Sequence, residues 1–166
     1  MQNKKDEIFE KIKSGSIVTI EKTELTYFIP HRRSAMKIDG VIFCSELENF
    51  ISGFKFISLD DPDLDGHFIE KPVYPGVVLA ECANLTAGML IALTEEDISG
   101  YPTLVEFSCK CKRPVFPGDH IRIDVRLLGK EKIKSQNFYD FDYAIKKSVG
   151  DKLKIVCEGT ITGTST

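Results

Sequence analysis

The longest apolar stretch of the chain runs from Val73 to Leu93, and its composition indicates a buried helix. Pro75 and Gly76 stand near its start, where the first helical turn does not need the N–H group that proline lacks. A helix that is apolar on nearly all sides must be covered all round. The stretch is long enough to cross a bilayer, but it contains Glu81, and a charge at mid-span costs about 2.5–3.5 kcal/mol. We therefore expect a core helix of a soluble protein.

Strand patterns occupy much of the remaining chain. From His120 to Leu128, apolar residues alternate strictly with polar and charged ones, which predicts a half-buried strand. Further strands are predicted at Met36–Phe43, Phe50–Ser58, Val105–Arg113, Tyr139–Ile145 and Leu153–Ile161. We expect Gly129–Ser135 and Lys146–Lys152 to be polar connections, and Lys4–Lys13 to be a short amphipathic helix.

Together these elements indicate the α+β class, with one long apolar helix and about five or six mostly antiparallel strands. A curved sheet wrapped around the helix would cover all its sides. The helix carries small residues that permit close approach to a sheet, at Gly76, Ala80, Ala83 and Ala87. The pattern contains no linker and no internal repeat. We therefore expect a single domain over residues 1–166, in which residues 1–25 form an N-terminal helix and lead-in.

Composition and charge narrow the functional classes. With 166 residues, the chain can bury a sizeable core. Its formal net charge of -3 gives no global electrostatic support for nucleic-acid binding. The 5 cysteines form no regular framework, which favours free thiols in a reducing compartment. The first residues lack the apolar core of a signal peptide, so we expect a cytoplasmic protein.

Glu81 is the most informative residue, because it is the single charge in the apolar stretch. Burial favours the neutral form of a carboxyl group, which can then donate a proton. The alternative is a helix that exposes Glu81 on a narrow polar edge with Asn84.

His67 precedes Glu81 by 14 residues, and the loop between them could bring its imidazole, a natural base, over the same site. The alternative for His67 is a solvated loop histidine without a role.

A third element of the site is predicted at the start of the helix. Gly76 lacks a side chain and lets a ligand approach the backbone closely. The free N–H groups of Gly76 and Val77 would then point at a carbonyl oxygen, and the helix dipole would help to stabilise negative charge there. The alternative is an ordinary helix start with no binding role.

Two motifs resemble metal sites but are incomplete. The run Asp61–Gly66 matches the first half of a calcium loop, but the twelfth position, which should be a bidentate glutamate, is Pro72. Cys109 and Cys111 flank Lys110 on a predicted strand, so both thiols face one side. No second Cys/His pair completes a zinc-ligand set. We therefore expect the two thiols to pack in the core, and we expect no metal and no cofactor.

Several groups of residues resemble the 3-hydroxyacyl-acyl carrier protein dehydratase family. The active-site signature of that family is matched by Gly-His-Phe at 66–68, by Pro72–Val77 and by Glu81. Three further elements of the family are matched in the right order, at Ile29–Arg33, Lys37–Asp39 and Lys112–Asp119. The resemblance extends from Ile29 to Leu128.

The resemblance implies a hot-dog fold, a homodimer or trimer of dimers, and a site between subunits. It implies dehydration of (3R)-3-hydroxyacyl-acyl carrier protein to the trans-2-enoyl product, with His67 of one subunit as base and Glu81 of the partner subunit as acid. The amides of Gly76 and Val77 would bind the thioester carbonyl. Acyl carrier proteins are acidic, so a basic docking surface is expected. The candidates are Arg32, Arg33, Lys110, Lys112 and Arg113.

The chain departs from the family at two places. Ile69 and Glu70 replace a common Pro-Gly, and Leu85 replaces a common glutamine that would neighbour Glu81; Asn84 is a candidate substitute for it. These departures fit a specialised polyketide or aryl-polyene pathway as well as fatty-acid synthesis. They leave two other functions open. One is a hot-dog thioesterase in which the glutamate activates water or attacks the thioester, and the other is a non-catalytic subunit that pairs with an active homologue.

Overall fold

An antiparallel sheet packs around a long helix in the computed structural model, which describes residues 2–47, 49–95 and 101–165. The helices are α1 (Gln2–Lys13), α2 (Lys22–Leu25) and α3 (Gly76–Thr94). The strands are β1 (Val18–Glu21), β2 (Gly40–Phe43), β3 (Phe50–Phe56), β4 (Thr103–Phe107), β5 (Lys110–Cys111), β6 (His120–Ile133), β7 (Gln136–Val149) and β8 (Lys152–Ser165). This is the α+β class that the apolar pattern predicts.

The strands follow the order β1-β2-β3-β6-β7-β8-β4, and β5 pairs with β8 along the same side as β4. All of these pairings are antiparallel. The last three strands form a meander whose members have 14 residues each. Within the described part of the chain, β1 therefore forms one edge of the sheet, and β4 and β5 form the other.

The prediction that Gly129–Ser135 is a polar connection is wrong. β6 continues to Ile133 and β7 begins at Gln136, so a tight turn joins the two strands. The end of β6 is exposed, so it lacks the apolar alternation that marks a strand lying against a core. The prediction that Lys146–Lys152 is a polar connection is also wrong. Most of this segment is strand, because β7 extends to Val149 and β8 begins at Lys152.

Other strand predictions need smaller corrections. Val105–Arg113 is divided into β4 and β5, and Met36–Phe43 contains only β2. No sequence pattern predicts β1, because its 4 residues are too few to show a period. The described residues accordingly form an 8-stranded sheet instead of one with five or six strands. The predictions of α1, β3 and the start of α3 are confirmed.

α3 lies in the core, as its composition predicts. The small residues Ala80, Ala83 and Ala87 are buried along it. The sheet comes close at Gly53 of β3, where an added Cβ would lie 2.4 Å from Oγ1 of the buried Thr86. Although α3 is long and apolar enough to cross a membrane, most of it is buried inside the protein, so it is a core helix.

We expect Gly53→Ala to lower the free energy of unfolding by about 1–3 kcal/mol, because the new methyl group overlaps the buried Thr86 side chain. Urea denaturation measures this change. Gly129→Ala is the matched control within the sheet, since no heavy atom lies within 4 Å of a Cβ at that position. The control should stay within about 0.5 kcal/mol of the parent protein. Equal stabilities of the two variants would contradict a close approach between β3 and α3.

Candidate active site

Two ion pairs fix the loop between β3 and α3, which carries His67. Nζ of Lys55 lies 2.7 Å from Oδ2 of Asp61, and their side chains are only 6% and 8% exposed. Nζ of Lys37 lies 2.7 Å from both carboxylate oxygens of Asp63. The hydroxyl of Tyr74 donates to Oδ2 of Asp63 at 3.2 Å. These contacts hold both ends of the loop against the core.

Lysine side chains therefore neutralise two carboxylates of the calcium-like motif. The Asp61 carboxylate also accepts a hydrogen bond from the amide of Asp63 at 3.1 Å. Although desolvation alone would raise the pKa of Asp61, the hydrogen bonds from Lys55 and from this amide hold the pKa below its ordinary value. The motif anchors the loop, and the carboxylates of Asp61 and Asp63 are already engaged.

His67 is half-buried, and a backbone contact selects its tautomer. Its Nδ1 lies 2.7 Å from the carbonyl oxygen of Val73. A carbonyl oxygen can only accept, so Nδ1 carries the hydrogen and the neutral imidazole keeps its lone pair on Nε2. The amide of Val73 donates in turn to the carbonyl of His67 at 2.8 Å. His67 is thus held with Nε2 in the form required of a base.

Glu81 lies on α3 and is half-buried, which is between the buried acid and the exposed polar edge that the sequence left open. The Nδ2 group of Asn84 donates to its Oε2 at 3.2 Å. The polar edge formed with Asn84 is therefore real. Asn84 also supplies the polar neighbour that Leu85, which is buried, cannot provide.

Glu81 and Asn84 line a small cavity of about 90 Å³, which we call the Glu81 cavity. His31 lines it as well. Two buried side-chain atoms in the described part of the chain have no hydrogen-bond partner, and they are Nδ1 of His31 and Oδ1 of Asn84. Unpaired buried polar atoms are costly, so this cavity is suited to receive a polar group beside Glu81.

His31 is a site residue that sequence reasoning assigned only to a family element, without a role. It lies 50 residues before Glu81, and no spacing rule connects positions so far apart. The fold brings them together because the segment at residues 29–31 packs beside α3 at the Glu81 cavity. The unpaired Nδ1 atom of His31 also marks it as a site residue, and only the structure shows that this atom is buried without a partner.

The first turn of α3 leaves two amides free, as predicted. The carbonyl of Pro75 accepts from the amides of Val78 and Leu79, both at 3.1 Å. The amides of Gly76 and Val77 donate to no group among the described residues. They lie at the positive end of the helix dipole, so they can bind a carbonyl oxygen that gains negative charge.

Packing requires a glycine at position 76, in addition to ligand access. An added Cβ would lie 2.6 Å from Sγ of Cys111, and the Cys109 thiol lies 3.6 Å from the carbonyl oxygen of Gly76. The two thiols are 3.7 Å apart and face one side, as predicted. The expectation that both are buried is wrong, since Cys111 is exposed. It belongs to a short strand at the side of the sheet.

A single chain does not bring His67 and Glu81 into one cavity. His67 and Gly76 line a second cavity, the His67 cavity, together with Lys112 and Arg113. Glu81 lines the Glu81 cavity, and His67 does not. The two residues of the predicted catalytic pair therefore face different cavities of the same molecule.

The Glu81 cavity lies beside an exposed apolar edge of the sheet. Leu104 of β4 lines the cavity, and β4 is an outer strand in the described structure. Leu104, Val105 and Phe107 are 41%, 53% and 44% exposed. An outer strand of this kind presents free N–H and C=O groups together with apolar side chains, so it can pair with a strand of another chain.

The five basic residues predicted for docking are engaged to different degrees. The Arg32 guanidinium donates to three backbone carbonyls of its own segment. Lys112 pairs with a carboxylate of β8, and Arg113 donates to a carbonyl near it. In the described structure no hydrogen bond or ion pair engages the side chain of Arg33 or Lys110. These two residues keep their charge free for a partner.

Comparison with known sequences gives consistent matches. A family model described as a FabA-like domain matches residues 29–152. The 3-hydroxyacyl-[acyl-carrier-protein] dehydratase FabZ of Thermotoga petrophila is 41% identical over 103 residues, which cover 62% of this chain and 72% of that protein. The FabZ dehydratase of Nitrobacter hamburgensis is 36% identical over 126 residues, covering 74% of this chain and 79% of the relative.

Solved structures share the fold. The dehydratase heterocomplex ApeI:P from Xenorhabdus doucetiae has a TM-score of 0.63 at 17% identity, covering 86% of this chain and 90% of that chain. A hypothetical thioesterase from Streptococcus pneumoniae with coenzyme A has a TM-score of 0.54 at 13% identity. The match covers 72% of this chain and 80% of that chain. An antiparallel sheet around one core helix, shared with these proteins, defines the chain as a hot-dog-fold protein. The sequence match over residues 29–152 is more specific than the shared fold, and it shows that the chain belongs to the FabA-like family.

We expect Lys55→Met to destabilise the protein by about 3–5 kcal/mol, because it leaves a buried carboxylate at Asp61 without its cation. Urea denaturation at neutral pH measures the loss. Lys130→Met is the control, since it removes an exposed ion pair with Glu95 and should cost about 1 kcal/mol or less. Similar losses of unfolding free energy in both variants would show that the Lys55–Asp61 pair stabilises the protein no more than an exposed ion pair does.

The pH dependence of the same comparison is a second readout. The pKa of Asp61 is lowered in the folded protein, so its stabilising contribution is complete above the ordinary value of 3.8 and is lost as the pH falls through the lower folded-state value. The stability difference between the parent protein and Lys55→Met should therefore shrink below about pH 4. A difference that stays constant in acid would contradict a charged Asp61.

Proposed function

We infer that the chain is a dehydratase of fatty-acid biosynthesis that converts (3R)-3-hydroxyacyl groups on acyl carrier protein into trans-2-enoyl groups. One observation carries this conclusion. His67 with Nε2 as its basic nitrogen, the free amides at the start of α3 and the carboxyl group of Glu81 all lie within the family match over residues 29–152. The sequence relatives are named dehydratases, which favours dehydration over thioester hydrolysis.

Each of the three groups, the imidazole, the pair of amides and the carboxyl group, carries out one part of the elimination. Nε2 of His67 takes the proton from C2, and the electron pair of that C–H bond becomes the new double bond. The amides of Gly76 and Val77 stabilise the thioester oxygen while it carries negative charge. Protonated Glu81 gives its proton to the 3-hydroxyl group, the C3–O bond breaks, and water leaves. The reaction is redox-neutral, so it needs no redox cofactor.

The site is formed between two subunits of a homodimer. The separation of the His67 cavity and the Glu81 cavity within one chain supports this arrangement. Pairing of β4 with its copy buries the exposed apolar edge and places the partner subunit beside the Glu81 cavity. His67 of one subunit then acts with Glu81 of the partner subunit.

The acyl chain lies along the apolar walls of the Glu81 cavity. These walls come from α3, from the segment at residues 29–31 and from the meander, and they include Ile29, Leu85, Ile91, Phe141 and Ile161. The 3-hydroxyl group occupies the polar end, near Glu81. The unpaired atoms of His31 and Asn84 stand in the same cavity, so they can bind the hydroxyl group or the water molecule it becomes.

Acyl carrier protein docks at the mouth of the His67 cavity, in the cytoplasm. Lys112 and Arg113 line that cavity, and Lys110 lies next to them in β5. Their positive charge complements an acidic carrier protein, although the whole chain has a net charge of -3. Such complementarity acts mainly on the association rate and weakens with salt.

We expect His67→Ala and Glu81→Gln each to lower the rate of dehydration by at least about 10²-fold, because each removes one proton-transfer group. An enoyl-forming assay with the parent homodimer supplies the reference, and turnover there rejects the non-catalytic alternative. Release of free thiol without enoyl product would instead support the thioesterase. Near-normal turnover by either folded variant would remove that residue from the mechanism.

Mixing the two variants tests the shared site. After dissociation and reassociation, half of the dimers should contain one copy of each variant, and each mixed dimer has one intact His67–Glu81 pair. The mixture should therefore recover about a quarter of the parent activity, since a two-fold dimer has two equivalent sites. A mixture as inactive as its components would show that both residues act within one subunit.

The docking surface predicts a selective loss. Charge reversal at Arg33 and Lys110 should raise the apparent KM for carrier-bound substrate, most strongly at low salt, and leave activity on a small neutral thioester nearly unchanged. Reversal at Lys132 in β6 and Lys134 in the turn that follows, both exposed, is the control of equal charge. If carrier-bound and small substrates lose activity together, the two residues support the fold or the chemistry instead.

A further inference from the structure

Three cysteine thiols meet at the side of the sheet, next to the start of α3. Cys109 precedes β5, Cys111 ends β5, and Cys157 is the partner of Cys111 in β8. Sγ of Cys109 lies 3.7 Å from Sγ of Cys111 and 3.3 Å from Sγ of Cys157, and the third distance is 4.0 Å. We call these three residues the thiol cluster.

The distances in the thiol cluster match those of a zinc-thiolate centre. Tetrahedral zinc binds thiolate sulfur at about 2.3 Å, which places two sulfurs on the same ion about 3.8 Å apart. The three observed distances scatter around this value. One ion at the apex above the three sulfurs can therefore bind all of them after small side-chain adjustments. A disulfide, with sulfurs about 2 Å apart, would join only two and leave the third unused.

The thiol cluster is poorly suited to covalent chemistry. Desolvation, and next the neighbouring Cys109 thiol, raises the pKa of Cys111 and of Cys157. A cysteine nucleophile needs a lowered pKa in the resting protein, whereas a zinc ion displaces the thiol protons when it binds. The hydroxyl of Tyr143 lies 3.7 Å from Sγ of Cys157 but donates to the carbonyl of Ser108 at 2.9 Å, so it does not act as a base toward the cluster.

The surroundings suit the charge of such a centre. Three thiolates and one Zn²⁺ together carry a single negative charge. The first turn of α3 lies against the cluster, since a Cβ at Gly76 would be 2.6 Å from Sγ of Cys111, and the positive end of the helix dipole favours an anionic group. Cys111 is exposed, so water can take the fourth position, as it does in other zinc sites with three protein ligands.

We propose that Cys109, Cys111 and Cys157 bind one zinc ion, which ties the β4–β5 segment to β8 where both meet the start of α3. The ion supplies no group to the dehydration; its role is to hold the edge of the sheet against the helix turn that presents Gly76. The site has no recognisable sequence spacing, because Cys157 lies 46 residues after Cys111 and reaches it only through strand pairing.

The test measures metal binding on the reduced, metal-stripped homodimer. Zinc in competition with a chromophoric chelator should give one ion per chain, and Co²⁺ should give thiolate charge-transfer bands and the visible bands of a tetrahedral ion. Cys111→Ser should weaken zinc binding by at least about tenfold, since even outer partners of a metal ligand contribute about 10–100-fold. Cys44→Ser is the matched control, because Cys44 is partly exposed and lies outside the thiol cluster.

Each outcome decides the proposal. Stoichiometric binding that survives Cys44→Ser and is weakened by Cys111→Ser supports it. Equal binding by the two variants, or no binding by the reduced parent chain, overturns it. If Cys111→Ser does not fold, the cobalt spectrum of the parent chain decides instead, since three thiolates give strong charge-transfer bands and no thiolate gives none. Metal binding is measured without substrate, so this result is independent of the dehydratase proposal.

Discussion

The burial of α3 is the constraint on which the rest of the structure depends. A helix of 19 residues with almost no polar face cannot be covered by one flat layer, so the sheet has to reach around it. The close contact between Gly53 and Thr86 shows how tightly this cover fits. The long strands of the meander complete the cover on the other side.

The same constraint places the proposed acid, Glu81. The residues of α3 that escape full burial follow one line along the helix, and they include Val77, Glu81, Asn84 and Gly88. This line faces the β4 side, since Leu104 lines the cavity that contains Glu81. Glu81 therefore lies close to the β4 edge of the sheet. The cover that one chain leaves unfinished agrees with the proposal that a second subunit completes the site.

The sequence predicted those features that leave a local signal. Glu81 interrupts an apolar run, His67 precedes it in a loop, and both interpretations needed only neighbouring residues. The length of the β6–β7 hairpin could not be predicted, because strands that face solvent on both sides show no alternation. His31 and Cys157 could not be assigned a role, since each meets its partners through tertiary contacts that span about 50 positions. The separation of the two cavities likewise exists only in the folded chain.

The contact that fixes His67 is made by the carbonyl of Val73, and every amino acid has this group. The side chain of Ile69, one of the residues between them, is 92% exposed, so Ile-Glu in place of Pro-Gly leaves this contact intact. What cannot vary is the number of residues that separates the ring from its acceptor. In this loop, losing one residue would misdirect the base, whereas exchanging several would leave it in place.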